Sequence, residues 1–204
     1  MGNVQAVRAD GTSSEPELIL KDRLRIYTAS WTGDGRWLVF EGFGQGSGRD
    51  IAAVRTGGDT TVVRLLSAPY EERNPGVSPD GRWLLYQAGT TGIPEVYVRP
   101  FPNASAGLYQ VSSGGGTSPK WSRDGREIFY VNSSNELTRV AVGASSSFTV
   151  SDQRVLFALR GVTDFEISPD GRRFITIREK GGQQRGRLVA VENFFQELNA
   201  KVPR

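Results

Sequence analysis

The chain is 204 residues long, and its 25 basic and 22 acidic residues give a net charge of +3. It contains neither cysteine nor histidine, so disulfides, thiolate metal sites and Ser-His-Asp or Cys-His catalytic sites are excluded within this sequence. No apolar run approaches the roughly 20 residues of a membrane-spanning helix, and we expect no membrane contact by this segment itself.

An Asp-Gly-Arg triplet occurs four times at nearly constant spacing. A large apolar residue lies three positions before each aspartate, and an apolar run begins four positions after it. Because Asp-Gly between apolar runs favours a hairpin turn, each copy predicts a strand, a tight turn and a second strand. A repeat of about 40 to 45 residues without a helical pattern is typical of a β-propeller. The four aspartates, 46, 44 and 46 residues apart, are Asp34, Asp80, Asp124 and Asp170.

Two further strands follow the hairpin in most repeats, and they divide the chain into predicted blades. The predicted fold class is all-β, a propeller of about four to five blades whose sheets contain two, four, four, four and three strands. A short helix capped by Asn193 replaces the last outer strand. The units, in order, are a half blade, three blades, a truncated blade and the C-terminal helix with its tail: 1–20, 21–66, 67–111, 112–159, 160–192 and 193–204.

The first two strands correspond to the third and fourth strands of a blade. In a closed ring they would duplicate the third strand of the last blade, so we expect the chain to be the C-terminal part of a larger propeller. A small standalone assembly, closed by strand exchange or by a second subunit, is the alternative.

Several charged or glycine-rich stretches suggest sites at first sight. The repeated aspartates could be metal ligands or catalytic carboxylates, but a group that recurs once per blade is better explained as part of a turn. The stretch 42–48 lacks the spacing of a phosphate-binding loop and has no helix after it. The basic stretch 172–187 has no interleaved aromatic residues for base stacking. We therefore expect no metal, no cofactor, no catalytic residue and no nucleic acid partner.

The most plausible binding site is the mouth of the central channel, where residues six and seven positions before each aspartate should lie. These residues differ from repeat to repeat, as expected of a site built on a repeated scaffold. The neighbouring loop 70–73 is also distinctive. The candidate residues for binding a protein or a small ligand are Tyr27, Tyr70, Glu71, Arg73, Asn74, Thr117, Thr163 and Asp164.

Three segments resemble the WD40-like, or TolB-like (PD40), β-propeller repeat with its Ser-Pro-Asp-Gly turn: VSPDGRWLLYQ at 77–87, PKWSRDGREIFYV at 119–131 and FEISPDGRRFITI at 165–177. Two others, EVYVRPFP at 95–102 and VENFFQELNAKVP at 191–203, are similar to propellers at the C-terminal end of bacterial eukaryotic-like serine/threonine protein kinases. The run 112–130 supports the same resemblance.

The kinase resemblance implies a non-catalytic module that senses or binds a ligand, since the kinase motifs themselves are missing from this sequence. It also implies an extracytoplasmic or periplasmic location if the module is attached to a membrane-anchored kinase. The alternative is an accessory propeller of a prolyl-oligopeptidase-like hydrolase. In both cases any enzymatic activity would belong to another part of the parent protein.

Overall fold

The structure is a computed structural model that describes residues 2–10, 15–22, 25–43, 48–58, 61–90, 92–144, 147–178 and 187–191. The predicted C-terminal helix at 193–204 and half of the basic stretch, 179–186, lie outside these residues. A short 3-10 helix occupies Ala104–Ala106. The strands are β1 Gly2–Ala6, β2 Glu17–Asp22, β3 Ile26–Trp31, β4 Trp37–Phe43, β5 Arg49–Arg55, β6 Val62–Leu66, β7 Glu72–Val77, β8 Trp83–Ala88, β9 Glu95–Pro100, β10 Tyr109–Gln110, β11 Gly116–Trp121, β12 Glu127–Asn132, β13 Glu136–Ala144, β14 Phe148–Ala158, β15 Val162–Ile167, β16 Phe174–Arg178 and β17 Arg187–Val191.

These strands form five antiparallel sheets, each made of strands that follow one another in sequence. The first sheet is β1–β2, the second β3–β6, the third β7–β10, the fourth β11–β14 and the fifth β15–β17. The sheets thus contain two, four, four, four and three strands, as the repeat predicted, and the all-β propeller fold is confirmed. The main difference in bounds is β14, which begins at Phe148 instead of Arg154.

The hydrophobic core lies between successive sheets, and β4, β8 and β12 each contribute to two cores. In β4, Leu38 and Phe40 pack against the first sheet, whereas Val39 packs against the third sheet. In β8, Leu84 packs towards the second sheet and Leu85 towards the fourth. Since successive side chains of a strand point to opposite faces, a strand covered on both faces needs consecutive apolar residues.

Each Asp-Gly turn is closed by a Ser or Thr two residues before the aspartate. The Ser78 hydroxyl lies 2.6 Å from Asp80 Oδ1 and accepts the Trp83 backbone N–H at 3.0 Å. Gly81 has a φ of +74°, which glycine adopts without steric cost. Three other residues make the same contact with the aspartate of their own turn: Thr32, Ser122 and Ser168.

These turns hold the pKa of all four aspartates below its ordinary value. At Asp34 the main cause is the hydrogen bond from Thr32, followed by that from the Arg36 backbone. At Asp80 burial acts in the opposite direction, and hydrogen bonds from Ser78 and Arg82 outweigh it. The aspartates therefore form part of the turns, as the repeat predicted.

Three of the four tryptophans beside the turns pack between sheets, and Trp31 departs from this pattern. Trp37 contacts Phe101 edge-on, while Trp83 and Trp121 belong to the core between the third and fourth sheets. Trp31 is instead 49% exposed. The sheet before it contains only β1 and β2 among the described residues, so part of its packing surface is uncovered.

The outer strand β14 is the longest strand, with 11 residues. It pairs with β13 through two register shifts, and Asp152 adopts a left-handed φ of +46°. The Asp152 carboxylate also forms ion pairs with Arg139 at 3.0 Å and with Arg154 at 2.9 Å. The free edge of the fourth sheet is thus irregular and charged.

Candidate functional site

The inner strands of four sheets line one cavity of about 400 Å³, which we call the channel cavity. These strands are β3, β7, β11 and β15, the first strand of each hairpin. The residue six positions before each turn aspartate lines the cavity in all four repeats. These four residues are Thr28, Asn74, Ser118 and Asp164.

A register shift interrupts each inner strand at or beside this position. The shifts lie between Ile26 and Thr28 in β3 and between Val162 and Asp164 in β15. Those of β7 and β11 span Asn74 and Ser118, which both have a φ of +52°. A bulge takes a residue out of the strand ladder and turns its side chain. In β7 and β11 the residues that the register skips include the cavity residues Asn74 and Ser118. In β3 and β15 the skipped residue comes one position before the cavity residue, at Tyr27 and Thr163.

The bulges of β7 and β11 are held by side chains of the preceding sheet. Glu41 Oε2 accepts the Asn74 backbone N–H at 2.6 Å. Gln87 Oε1 accepts the Ser118 backbone N–H at 2.7 Å and the Asn74 side-chain amide at 2.9 Å. Glu41 and Gln87 occupy the same place, seven residues after their turn aspartates. At the next interface this place is taken by Val131, and Asp164 Oδ1 accepts the Phe165 backbone N–H itself.

Within the second sheet, Glu41 also forms an ion pair with Arg49. Glu41 is 1% exposed, and its Oε1 binds Arg49 Nη1 at 2.6 Å. The Arg49 guanidinium lies 4.0 Å above the ring of Tyr27. Tyr27 is therefore linked to the bulge of β7 through Arg49 and Glu41, although its ring is not among the groups that line the channel cavity.

Two of the eight predicted site residues, Asn74 and Asp164, line the channel cavity. Arg73 forms an ion pair with Glu71, and Tyr70 packs against the core between the second and third sheets. The two threonines bond to the backbone of the neighbouring strand, Thr117 with Val131 and Thr163 with Ile177. Of the predicted loop 70–73, Glu72 and Arg73 belong to β7.

Glu72, at the start of β7, is a buried carboxyl with an altered protonation equilibrium. It is 3% exposed, and burial raises its pKa to about 7. The Ala68 backbone N–H opposes this rise, the charge of Asp50 adds to it and that of Arg99 lowers the pKa again. Near neutral pH, Glu72 is thus poised between its two forms.

The channel cavity combines aromatic rings with one uncompensated carboxylate. Trp31 and Trp121 line it, together with the ion pair between Lys120 and Glu166, whose atoms are 2.7 Å apart. Asp164 has no basic side chain within ion-pair distance among the described residues. Such a lining can bind a polar ligand that carries hydrogen-bond donors or a positive charge.

A larger cavity of about 740 Å³ lies on the turn side of the third and fourth sheets. Four of its six charged side chains form ion pairs with one another: Arg82 binds Asp80 at 2.8 Å, and Arg139 binds Glu127 at 2.5 Å. The lining carries three acidic and three basic side chains, so its formal charges balance, whereas the channel cavity has two acidic side chains and one basic side chain.

The described residues contain no group of three or more acidic side chains placed to hold a metal ion. Within the same residues, no helix is both long and apolar enough to cross a membrane.

Sequence reasoning missed the groups that hold the channel-facing bulges. Glu41 and Gln87 are polar residues in otherwise apolar strands at the same distance from the turn, and this could have identified them. The Lys120–Glu166 pair joins residues 46 positions apart, the length of one repeat. Contacts of this kind become visible only once the sheets are placed side by side.

No protein-family model matches the chain, and no curated protein matches it. Solved structures do resemble it. TolB from Acinetobacter baumannii shares 18% identity over 94% of this chain and 57% of its own, with a TM-score of 0.55. The Cps50 (Swd1) β-propeller domain from Myceliophteria thermophila shares 13% identity over 85% of this chain and 61% of its own, with a TM-score of 0.60. A prolyl endopeptidase shares 15% identity over 89% of this chain and 30% of its own, with a TM-score of 0.53.

These identities are low, so the likeness concerns the fold alone. The chain spans 57% of the TolB structure and 61% of the Swd1 propeller. The strand arrangement and these similarities together show that the chain is a β-propeller module with the fold of TolB-like and WD40 proteins.

Proposed function

We propose that this chain is a non-catalytic binding or sensing module that takes a protein segment or a small ligand in the channel cavity. The observation that carries the proposal is the contrast within the repeat. The Asp-Gly-Arg triplet is the same in all four turns, whereas the four residues that face the cavity differ: Thr28, Asn74, Ser118 and Asp164. A scaffold that repeats while its cavity lining varies is suited to asymmetric recognition.

The lining favours a ligand with a donor or a cationic group. Glu166 neutralises Lys120, which leaves the charge of Asp164 available. A partly exposed indole such as Trp31 can add a cation–π contact, which is worth about 0.5 to 2 kcal/mol. Nucleic acid is a poor candidate, because the phosphate backbone requires basic side chains and the only basic residue of the lining is paired.

The parent of this module, in our proposal, is a larger kinase-linked or TolB-like protein. The segments similar to kinase-linked propellers support the first possibility, and the likeness to TolB supports the second. A prolyl-oligopeptidase-like parent is the other candidate, favoured by the fold similarity to a prolyl endopeptidase. In that case the propeller would be an accessory domain, and the chemistry would occur in a separate catalytic domain.

The test compares ligand capture by the native chain with capture by two variants: Asp164→Ala, in the cavity lining, and Arg73→Ala, which changes the residue next to Asn74. A partner captured by the native chain should bind more weakly to the variants, while their melting temperatures stay close to the native value. Arg64→Ala, on the outer strand β6, is the matched control and should bind as the native chain does. Unchanged affinity in both variants would contradict the assignment of the site.

A further inference from the structure

Within the described residues the first sheet contains β1 and β2, the counterparts of the third and fourth strands of the repeat. Ile19 and Leu20 share a core with Leu38 and Phe40, which is how the third and fourth strands of other sheets pack on their neighbour. A third strand normally pairs on both sides, as β5 does with β4 and β6. Within the described residues β1 pairs with β2 alone, so one edge of β1 is open.

Trp31 and Trp121 occupy the same place in their repeats but have different surroundings. The indole Nε1 of Trp121 donates to the Gly76 carbonyl at 3.2 Å, and Gly76 belongs to the inner strand of the preceding sheet. A side chain at Gly76 would come within 3.8 Å of the Trp121 ring. The described part of the chain contains no inner strand before Trp31, whose side chain is 49% exposed.

The whole of β3 shows the same difference. Four of its six residues are exposed, whereas β7 has no exposed residue. The bulge of β7 is held by Glu41 from the second strand of the sheet before it, and that of β11 by Gln87. The bulge of β3 lies at Tyr27, one residue before the position that corresponds to Asn74 and Ser118.

We propose that the surface formed by the β1 edge and Trp31 binds a β-hairpin of the same repeat type. Its first strand covers Trp31 and offers a carbonyl to the indole N–H, and its second strand pairs with β1. The hairpins of the second and third sheets indicate its chemistry: a Ser/Thr-x-Asp-Gly turn, Ser or Gly four positions before the Asp, and Glu or Gln seven positions after it. The hairpin adds a wall to the channel, and the inference does not depend on which ligand the channel takes.

The chain itself contains a hairpin that meets these requirements, because β7–β8 carries Gly76 and Gln87. The test places a second copy of residues 71–94 directly before Gly2, so that the loop after β8 leads into β1 as it leads into β9. Hydroxyl-radical labelling with mass spectrometry then compares the modification of Trp31 with that of Trp121. We expect Trp31 to react faster than Trp121 in the native chain, and to fall to the rate of Trp121 in the extended chain.

The matched control carries Gly76→Val and Gln87→Ala in the added copy only, and Trp31 should remain reactive in it. If the extended chain fails to fold, the peptide 71–94 added to the native chain should protect Trp31 in the same way. Unchanged reactivity of Trp31 with both forms of the hairpin would overturn the proposal. A native dimer in light scattering with Trp31 already protected would also overturn it, since a second copy would then occupy the surface.

Discussion

The two ends of the inner strands differ in how they are stabilised. At the turn end, each repeat closes its own hairpin with the same Ser/Thr, Asp and Gly contacts. At the bulge end, the backbone of β7 and β11 is held by side chains of another sheet, Glu41 and Gln87. The turn end is therefore local and uniform, and the bulge end depends on the neighbouring sheet. At Asn74 and Ser118, two of the positions that vary between repeats, the support thus comes from outside the repeat.

The pKa values of the carboxyl groups at the two ends are also shifted in opposite directions. The pKa of each turn aspartate is lowered by hydrogen bonds, so its contribution to stability is present above the unfolded pKa and is lost as the pH falls. Burial raises the pKa of Glu72 to about 7, so its contribution is complete below the unfolded value and is lost as the pH rises towards 7.

The largest expected effect is at the bulge end. Glu41→Ala removes the partner of Arg49 and the acceptor of the Asn74 backbone N–H, and we expect it to cost about 3 kcal/mol of unfolding free energy. Urea unfolding measures this loss. The double variant Glu41→Ala/Arg49→Met should recover part of it, because the charge left unpaired is removed as well. A loss no larger than that caused by replacing an exposed glutamate with alanine would show that the ion pair does not stabilise the fold.

The next effect depends on pH. Glu72→Gln keeps the shape of the side chain and removes the ionisation that burial opposes. We expect the unfolding free energy of the variant to exceed that of the native chain by about 1 to 3 kcal/mol at pH 8. This difference should be lost at pH 5. Denaturant unfolding at the two pH values tests it. The exposed control Glu17→Gln should show no such dependence, and a constant difference between Glu72→Gln and the native chain would contradict the assigned pKa.

At the turn end, Ser78→Ala removes a buried hydroxyl that bonds both to Asp80 and to the Trp83 backbone. We expect a loss of about 1 to 2 kcal/mol, because a buried N–H and a carboxylate oxygen each lose a partner. Thermal unfolding is sufficient to measure it. Ser105→Ala, whose hydroxyl is exposed, is the control and should be nearly neutral; equal losses in the two variants would argue against the turn contact.

The smallest expected effect on stability comes from the backbone conformation of the turn alone. Gly81→Ala places a Cβ in open space at a φ of +74°, so only the left-handed conformation is penalised, by about 1 kcal/mol. Gly89 also has open space around it, and its φ lies outside this region. Gly89→Ala should therefore be neutral or slightly stabilising in the same unfolding experiment. If Gly89→Ala were less stable than Gly81→Ala, the left-handed conformation would not explain the loss.

Much of the fold follows from the sequence because a hairpin is a local structure. The Asp-Gly turns predicted the sheets and their strand numbers. The site was less accessible, since the acceptor for Asn74 lies 33 residues away and that for Ser118 lies 31 residues away. Trp31 and Trp121 show the same limit: their local patterns match, and only the neighbouring sheet distinguishes an exposed ring from a packed one.

The irregular outer strand β14 has a consequence for the behaviour of the protein in concentrated solution. A long, regular free edge is a template for strands of other molecules and promotes aggregation. Here the left-handed Asp152 and the two register shifts interrupt the row of backbone donors and acceptors. Arg139 and Arg154 add charge at the same point. The longest strand of the molecule is thereby made a poor seed for fibril growth.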